Sequence, residues 1–169
     1  MKINREKELS VIVIEKDSLD LYIDFIELIK RDLEREDFLG DFSRTELMDI
    51  LDNKGYIYMY KYRNILVACS VLIPANEKIV KELNLDVDYN KVIEIGPQAV
   101  FTDLRGNGIQ DYMIKKMESM AKDLGYEHIL TTSHPDNIYS INNFKKNNYK
   151  KIAQKKYSRG LRNIYYKDI

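Results

Sequence analysis

KVIEIGPQAVF (Lys91–Phe101), then RGNGIQ (Arg105–Gln110), then a helical pattern from Ile109 to about Leu124 form the stretch that decides the fold. The first segment is apolar and β-prone, so it reads as a strand. The second holds Gly106 and Gly108, which let the chain turn where a side chain would clash and aim several backbone N–H groups at one point. Those groups join the unpaired donors of the following helix and the positive end of its dipole. Strand, glycine loop and helix start together predict a site for a pyrophosphate or similar anion.

Two better-known anion loops are excluded. Three glycines at G-x-G-x-x-G spacing are absent, and no Gly-Lys-Ser/Thr follows the loop. Pro97 inside the strand also needs a reason. Proline cannot donate to a sheet ladder, so it predicts an edge or a bulge.

Working outward, Val11–Ile14 is a short apolar run fit for a strand. Asp17–Asp20 offers a helix start, and Tyr22, Ile26, Ile29 and Leu33 then recur at helical spacing. Asp37–Ser43 interrupts the pattern, and Thr45–Asp52 predicts a second short helix. Gly55–Tyr62 and Ile65–Ile73 read as two strands around a turn at Arg63-Asn64. The first of them puts Tyr56, Tyr58, Tyr60 and Tyr62 on one face. Pro74–Asn90 is polar, with room for one helical turn. In the helix after RGNGIQ, Ile109, Met113, Met117, Met120 and Leu124 form an apolar stripe best read as core. Gly125 stops that helix. Tyr126–Ser133 is the next strand, and Asp136 or Asn137 caps a helix to about Asn147, with Asn148 as its stop. Tyr149–Tyr157 and Leu161–Lys167 close the chain as a hairpin.

The loop residues R-x-x-G-x-Gln, following Ala99-Val100-Phe101, resemble the central motif of the GNAT superfamily of acetyl-CoA-dependent N-acetyltransferases, usually written Q/R-x-x-G-x-G/A. Arg105 and Gly108 match, while Gln110 replaces a small residue. Asn137, Ser140, Phe144, Asn148 and Tyr149 resemble a second motif of the superfamily, with substitutions at all but Asn137. The element order β-α-α-β-β-β-α-β-α-β-β also matches. The resemblance implies an α/β (α+β) fold with a mixed central sheet of about seven strands. Its fourth strand is bulged and splays from the fifth, leaving a cleft for the pantetheine arm.

The same resemblance implies site residues. Backbone amides from Arg105, Gly106, Asn107, Gly108, Ile109 and Gln110 hold the phosphates of acetyl-CoA, the co-substrate, and Asn137 and Phe144 flank its arm. The backbone of Ala99 and Val100 pairs with the arm and supplies an N–H to the thioester carbonyl, an oxyanion-hole arrangement worth about 3–4 kcal/mol where measured. A lysine-like amine costs about 4–5 kcal/mol to deprotonate at pH 7. Glu94 is the candidate base, set against an ordinary strand carboxylate. Many members of the superfamily use a tyrosine at the place of Phe144 to protonate the leaving thiolate. Here water or Ser140, one turn earlier on the same face, supplies the proton. His134 is a weaker candidate base and His128 weaker still. The acidic residues Glu34, Glu36, Asp37 and Asp41 either flank an entrance for a cationic amine or form a solvated helix end.

Composition bounds the rest. The chain of 169 residues predicts a single domain over 1–169 that buries roughly two-thirds of its unfolded surface. With 27 basic and 27 acidic residues, nothing points to nucleic acid or to a membrane surface. One cysteine, Cys69, excludes an internal disulfide and reads as a small buried hydrophobe. No histidine pair has metal spacing, so no metal is expected. No signal peptide or apolar run of about 18 residues is seen, which predicts a cytoplasmic protein. The expected partner is a small-molecule or peptide amine acceptor, and a homodimer is left open. The rival readings are a non-catalytic acyl-CoA-binding or sensor module on the same fold and an unrelated anion-binding α/β domain.

Overall fold

A computed structural model of the chain describes residues 8–169. The elements run β1 (Leu9–Ile14), α1 (Leu19–Arg31), α2 (Arg44–Asp52), β2 (Tyr56–Tyr62), β3 (Ile65–Pro74), α3 (Glu77–Glu82), β4 (Val92–Val100), α4 (Ile109–Asp123), β5 (His128–Ser133), α5 (Ile138–Lys146), β6 (Lys150–Tyr157) and β7 (Gly160–Asp168). The seven strands form one mixed sheet in the order β1-β2-β3-β4-β5-β7-β6. Only β4 and β5 pair in parallel, because α4 crosses the sheet between them, as parallel pairing requires.

Local chemistry sets the boundaries. Arg63 and Asn64 both have positive φ, 49° and 65°, the geometry of a two-residue hairpin turn. Ser43 and Glu46 cap α2 reciprocally. The α4 helix starts from left-handed Gly108 and is followed by left-handed Gly125. Asn137 accepts from the Ser140 amide to cap α5, and Asn148, with φ 64°, follows it. The polar stretch after β3 holds the short α3 and one 3₁₀ turn at Tyr89–Lys91.

Both faces of the sheet are covered. On one side Tyr58, Tyr60 and Tyr62 pack with Ile93 and Ile95 against Ile109, Met113, Ile114, Met117 and Ala121 of α4. On the other, Ile57, Met59, Cys69 and Val71 pack against Leu19, Tyr22, Phe25, Ile26 and Ile29 of α1 and Leu47 and Ile50 of α2. Each such fully buried large side chain contributes about 1.5–3 kcal/mol relative to exposure. The stripe expected on α4 differs at its end. Leu124 is 42% exposed, while Ile114 and Ala121 are fully buried. At 3.6 residues per turn the apolar face drifts around the axis, and a stripe of fourth residues leaves the sheet after three turns.

The strand that carries Pro97 has the expected irregularity. Ser70 pairs with Gln98 and Leu72 with Ile95, so Gly96 and Pro97 together face Val71. That is a β-bulge. The β4–β5 pairing spans Val92–Ile95 against His128–Thr131 and stops at the bulge. Beyond it the two strands splay, and the mouth of the splay faces the start of α4.

Candidate active site

A cavity of about 510 Å³ lies at the splay. From the α4 side it is lined by Gln110, Asn137, Ser140 and Phe144, and from the α2 side by Glu46, Asp49, Ile50 and Glu94. Gly96, Pro97, Gln98, Thr132 and Ser133 line it between the two. The interrupted pairing of β4 and β5 therefore leaves room reached from both faces of the sheet.

On the α4 side, Gly106 and Gly108 adopt φ of 79° and 69°, values that L side chains resist. A Cβ added at Gly106 would meet no atom within 4 Å, so the space over the loop is open. Arg105 is exposed, and its Nε donates to Val100 O at 3.3 Å. Asn107 donates from Nδ2 to Leu104 O at 3.1 Å, which ties the loop to the preceding turn. Ile109 is buried in the core and anchors the first turn of α4. Gln110, which stands where the superfamily motif has a small residue, turns its side chain sideways. Its Nε2 donates to Ser140 Oγ at 3.2 Å and its Oε1 accepts from Asn143 Nδ2 at 2.8 Å. The α4–α5 pairing is reinforced by buried Asp111, which accepts from Asn147 Nδ2 at 2.9 Å.

Along the open edge of β4, the ladder alternates. Phe101 N–H donates to Val67 O at 2.8 Å, so the backbone groups of Val100 and Gln98 turn away from β3 and those of Ala99 turn toward it. The Ala99 side chain is buried on the α1 face. Two polar atoms at the splay are buried without a hydrogen-bond partner among the described residues, Gln98 Nε2 and Ser133 Oγ. Buried orphan groups are costly, and here both lie on residues that line the cavity. The open glycine loop and these orphans fit the phosphates and the polar arm of a coenzyme A thioester.

On the α2 side, Glu94 is half-buried and lines the cavity. Burial pushes its carboxyl up to about 7, which leaves it poised between acid and base at neutral pH. Tyr157 stands close enough for the Glu94 charge to raise its phenol, after the larger effect of burial. Phe144 is 2% exposed and packs between Tyr149 and Tyr165, with ring centroids 5.7 and 5.3 Å away. Its neighbour one turn back, Ser140, is half-buried and lines the same cavity.

Several expectations change. His134, read from the sequence as a weaker candidate base, is 8% exposed and engaged in a polar cluster. Its Nδ1 accepts from the Asp136 amide at 3.1 Å and its Nε2 lies 3.2 Å from Asp37 Oδ2. Arg35 donates to Asp37 and to Asp136 Oδ2 at 2.7 Å, so the cluster clasps the α1–α2 loop to the end of β5. Of the acidic loop, Asp37 and Asp41 are ion-paired, Asp41 with Lys30. The carboxylates that line the cavity are Glu46, Asp49 and Glu94. Cys69 is fully buried and its thiol is pushed up to about 12, which makes it inert. Sequence reasoning missed Gln98, Ser133, Tyr157 and Arg162 as cavity residues. For Arg162 a signal existed, because it alternates with Ile164 and Tyr166 on one face of an apolar strand.

Among the described residues no cluster of three or more His, Cys, Asp or Glu is placed to hold a metal ion. No helix among them is long and apolar enough to cross a membrane.

Residues 22–149 match the profile of a family described as the acetyltransferase (GNAT) family. No curated protein matches the chain. Among solved structures, the fold is similar to a probable acetyltransferase from Staphylococcus epidermidis ATCC 12228, with TM-score 0.73 and 16% identity over 95% of this chain and 98% of that one. It is also similar to a GNAT family acetyltransferase from Elizabethkingia anophelis with acetyl-CoA bound, at TM-score 0.70 and 15% identity, covering 96% of this chain and 99% of the other. A third similar structure is the ribosomal L7/L12 alpha-N-protein acetyltransferase RimL in complex with coenzyme A, at TM-score 0.70 and 12% identity over 96% and 95% of the two chains.

Proposed function

This chain belongs to the acetyltransferase (GNAT) family, and from that premise we propose that it moves an acetyl group from acetyl-CoA directly to an amine. One observation carries the reading. A single cavity joins the side of the sheet bearing the glycine loop to the side bearing half-buried Glu94, through the gap where β4 and β5 part.

Bound acetyl-CoA supplies an activated acyl group on a thioester. The backbone amides of the Arg105–Gln110 loop and the first turn of α4 hold its phosphates, and Arg105 adds a charge-assisted bond. Val100 and Gln98 present backbone groups to the arm as an added strand would, and a Val100 N–H faces the place where the thioester carbonyl arrives. The orphan donor of Gln98 and the hydroxyl of Ser133 bind its polar atoms. Glu94 takes the proton of the amine on the opposite side of the splay. Ser140 or water returns a proton to the departing thiolate. Release of a thiol with pKa near 8.5 in unprotonated form costs only about 2 kcal/mol at pH 7, so Phe144 slows this step without forbidding it. The acceptor is a small molecule or a peptide N-terminus.

The test is release of free coenzyme A thiol from acetyl-CoA with a panel of amines, beside calorimetric binding of acetyl-CoA. Binding with amine-dependent release is expected. Phe144, which lacks the hydroxyl of the usual proton donor, favours a second reading, an acyl-CoA sensor on the same fold. Tight binding without release for any amine would establish that reading. Absence of binding in the folded protein would overturn both.

A further inference from the structure

The acceptor side of the cavity holds a buried cation that acetyl transfer does not use. Arg162 on β7 is 6% exposed and lines the cavity wall. Its Nη2 donates to Arg159 O at 2.9 Å and its Nη1 to Leu161 O at 3.3 Å. A guanidinium carries five N–H donors, so about three remain for another partner. Among the described residues Arg162 forms no ion pair, and Asp37, Asp136 and Glu46 are each held by other partners. Arg35 and His134 hold Asp37, Arg35 also holds Asp136, and Arg159 grips both oxygens of Glu46 at 2.7 Å. Burial pulls the Arg162 guanidinium down from its ordinary value, and Asp37 opposes this only from beyond ion-pair distance. No side chain stands over the guanidinium at Gly40 or Gly160, where added Cβ atoms would lie 4.0 and 3.8 Å from its terminal nitrogens.

A buried charge without its own counter-ion is costly, and a ligand anion completes this arrangement. Arg162 also lies on the same face of the sheet as Glu94. Glu94 pairs with Leu130 and Leu130 with Tyr166, and Arg162 precedes Tyr166 by an even number of residues on β7. We propose that the amine acceptor also carries a carboxylate, and that Arg162 binds this carboxylate while Glu94 faces the amine.

The proposal rests on the acetyltransferase reading for its amine and on Arg162 alone for its carboxylate. A planar carboxylate matches the free fork of a guanidinium in two parallel bonds. A doubly charged phosphate would meet repulsion from Glu46, Asp49 and Glu94 around the same cavity. A polypeptide N-terminus bears no carboxylate beside its amine, so the acceptor is a small molecule of amino-acid type.

The experiment compares free L-amino acids with their amides, with the corresponding amines lacking the carboxylate, and with aminoalkylphosphonates. One readout is coenzyme A thiol release. The other, which needs no turnover, is calorimetric binding of N-acetyl-amino acids in the presence of coenzyme A. For the preferred acceptor, the amino acid should exceed its amide and its decarboxylated amine by roughly 10- to 150-fold in kcat/KM, the range of a hydrogen bond to a charged group. Arg162→Met should erase that ratio, mainly through KM, and Arg162→Lys should keep part of it. Equal or better use of the carboxylate-free amines or of the phosphonates would overturn the proposal. So would N-acetyl-amino acids that bind Arg162→Met as tightly as the native protein, or fail to bind the native protein. If N-acetyl-amino acids bind through Arg162 but no amine is acetylated, the carboxylate site stands and the transfer reading falls. If Arg162→Met does not fold, as judged by circular dichroism, the native comparison decides alone.

Discussion

At the scale of single residues, Glu94 carries the sharpest expectations. If it is the base, Glu94→Gln lowers turnover by about 10²–10⁴-fold with little change in acetyl-CoA affinity. The rising limb of the native pH–rate profile, expected near pH 7 where burial puts this carboxyl, should vanish in the variant. Steady-state rates across pH measure both. Stability responds with the opposite sign. The folded protein keeps a proton up to about 7 that the unfolded chain releases near 4.5. The favourable contribution is therefore complete below the unfolded value and is lost as pH rises through the folded one. Glu94→Gln should gain stability relative to the native chain in urea at about pH 8 and show no such gain at about pH 4. This residue was legible in the sequence as a carboxylate on the bulged strand. Arg162 was legible only as an arginine on the apolar face of a strand; that it lacks a counter-ion was not, because pairing across the fold is invisible along the chain.

At the scale of elements, the glycine loop and α4 act together. Gly108 opens the helix in a left-handed conformation, so Gly108→Asp adds strain, bulk and negative charge where the proposed function puts the phosphates. Calorimetry should register a sharp loss of acetyl-CoA affinity in the folded variant. Arg105→Ala should cost less, because the backbone donors remain. Core and surface of α4 separate cleanly. Met117 is fully buried and accepts a hydrogen bond from Ser70 Oγ, so Met117→Ala should destabilise by about 2–5 kcal/mol in chemical denaturation. Leu124→Lys should stay within about 0.5 kcal/mol, since that position is exposed. On α5, Phe144→Tyr should leave turnover unchanged or raise it modestly. An inert native protein that the substitution activates would decide for the sensor reading. The helices and strands were readable from periodicity because one-sided burial imposes it. The end of the α4 stripe was not, because it depends on where the helix leaves the sheet.

At the scale of the whole molecule, the site exists because one sheet is imperfect. Gly96 and Pro97 interrupt the β3 register, the β4–β5 pairing ends beside them, and a cavity opens between two separately packed faces. The α1–α2 loop that walls it is held by Arg35 across to Asp136 and by Asp37 to His134. Arg35→Ala should therefore raise the acceptor KM with little change in stability, as for an exposed ion pair. Paired melting and kinetic measurements separate the two effects. The sequence alone determined the order of elements, the glycine loop and an irregularity at Pro97, either an edge or a bulge. These follow from backbone sterics and from local periodicity, which act between neighbours in the chain. Only tertiary structure decided that Gln110 turns toward Ser140 and Asn143, that His134 belongs to a clasp, and that Arg162 stands buried in the acceptor wall. Those outcomes depend on burial and charge balance among residues distant in sequence, and such terms have values only once the chain has folded.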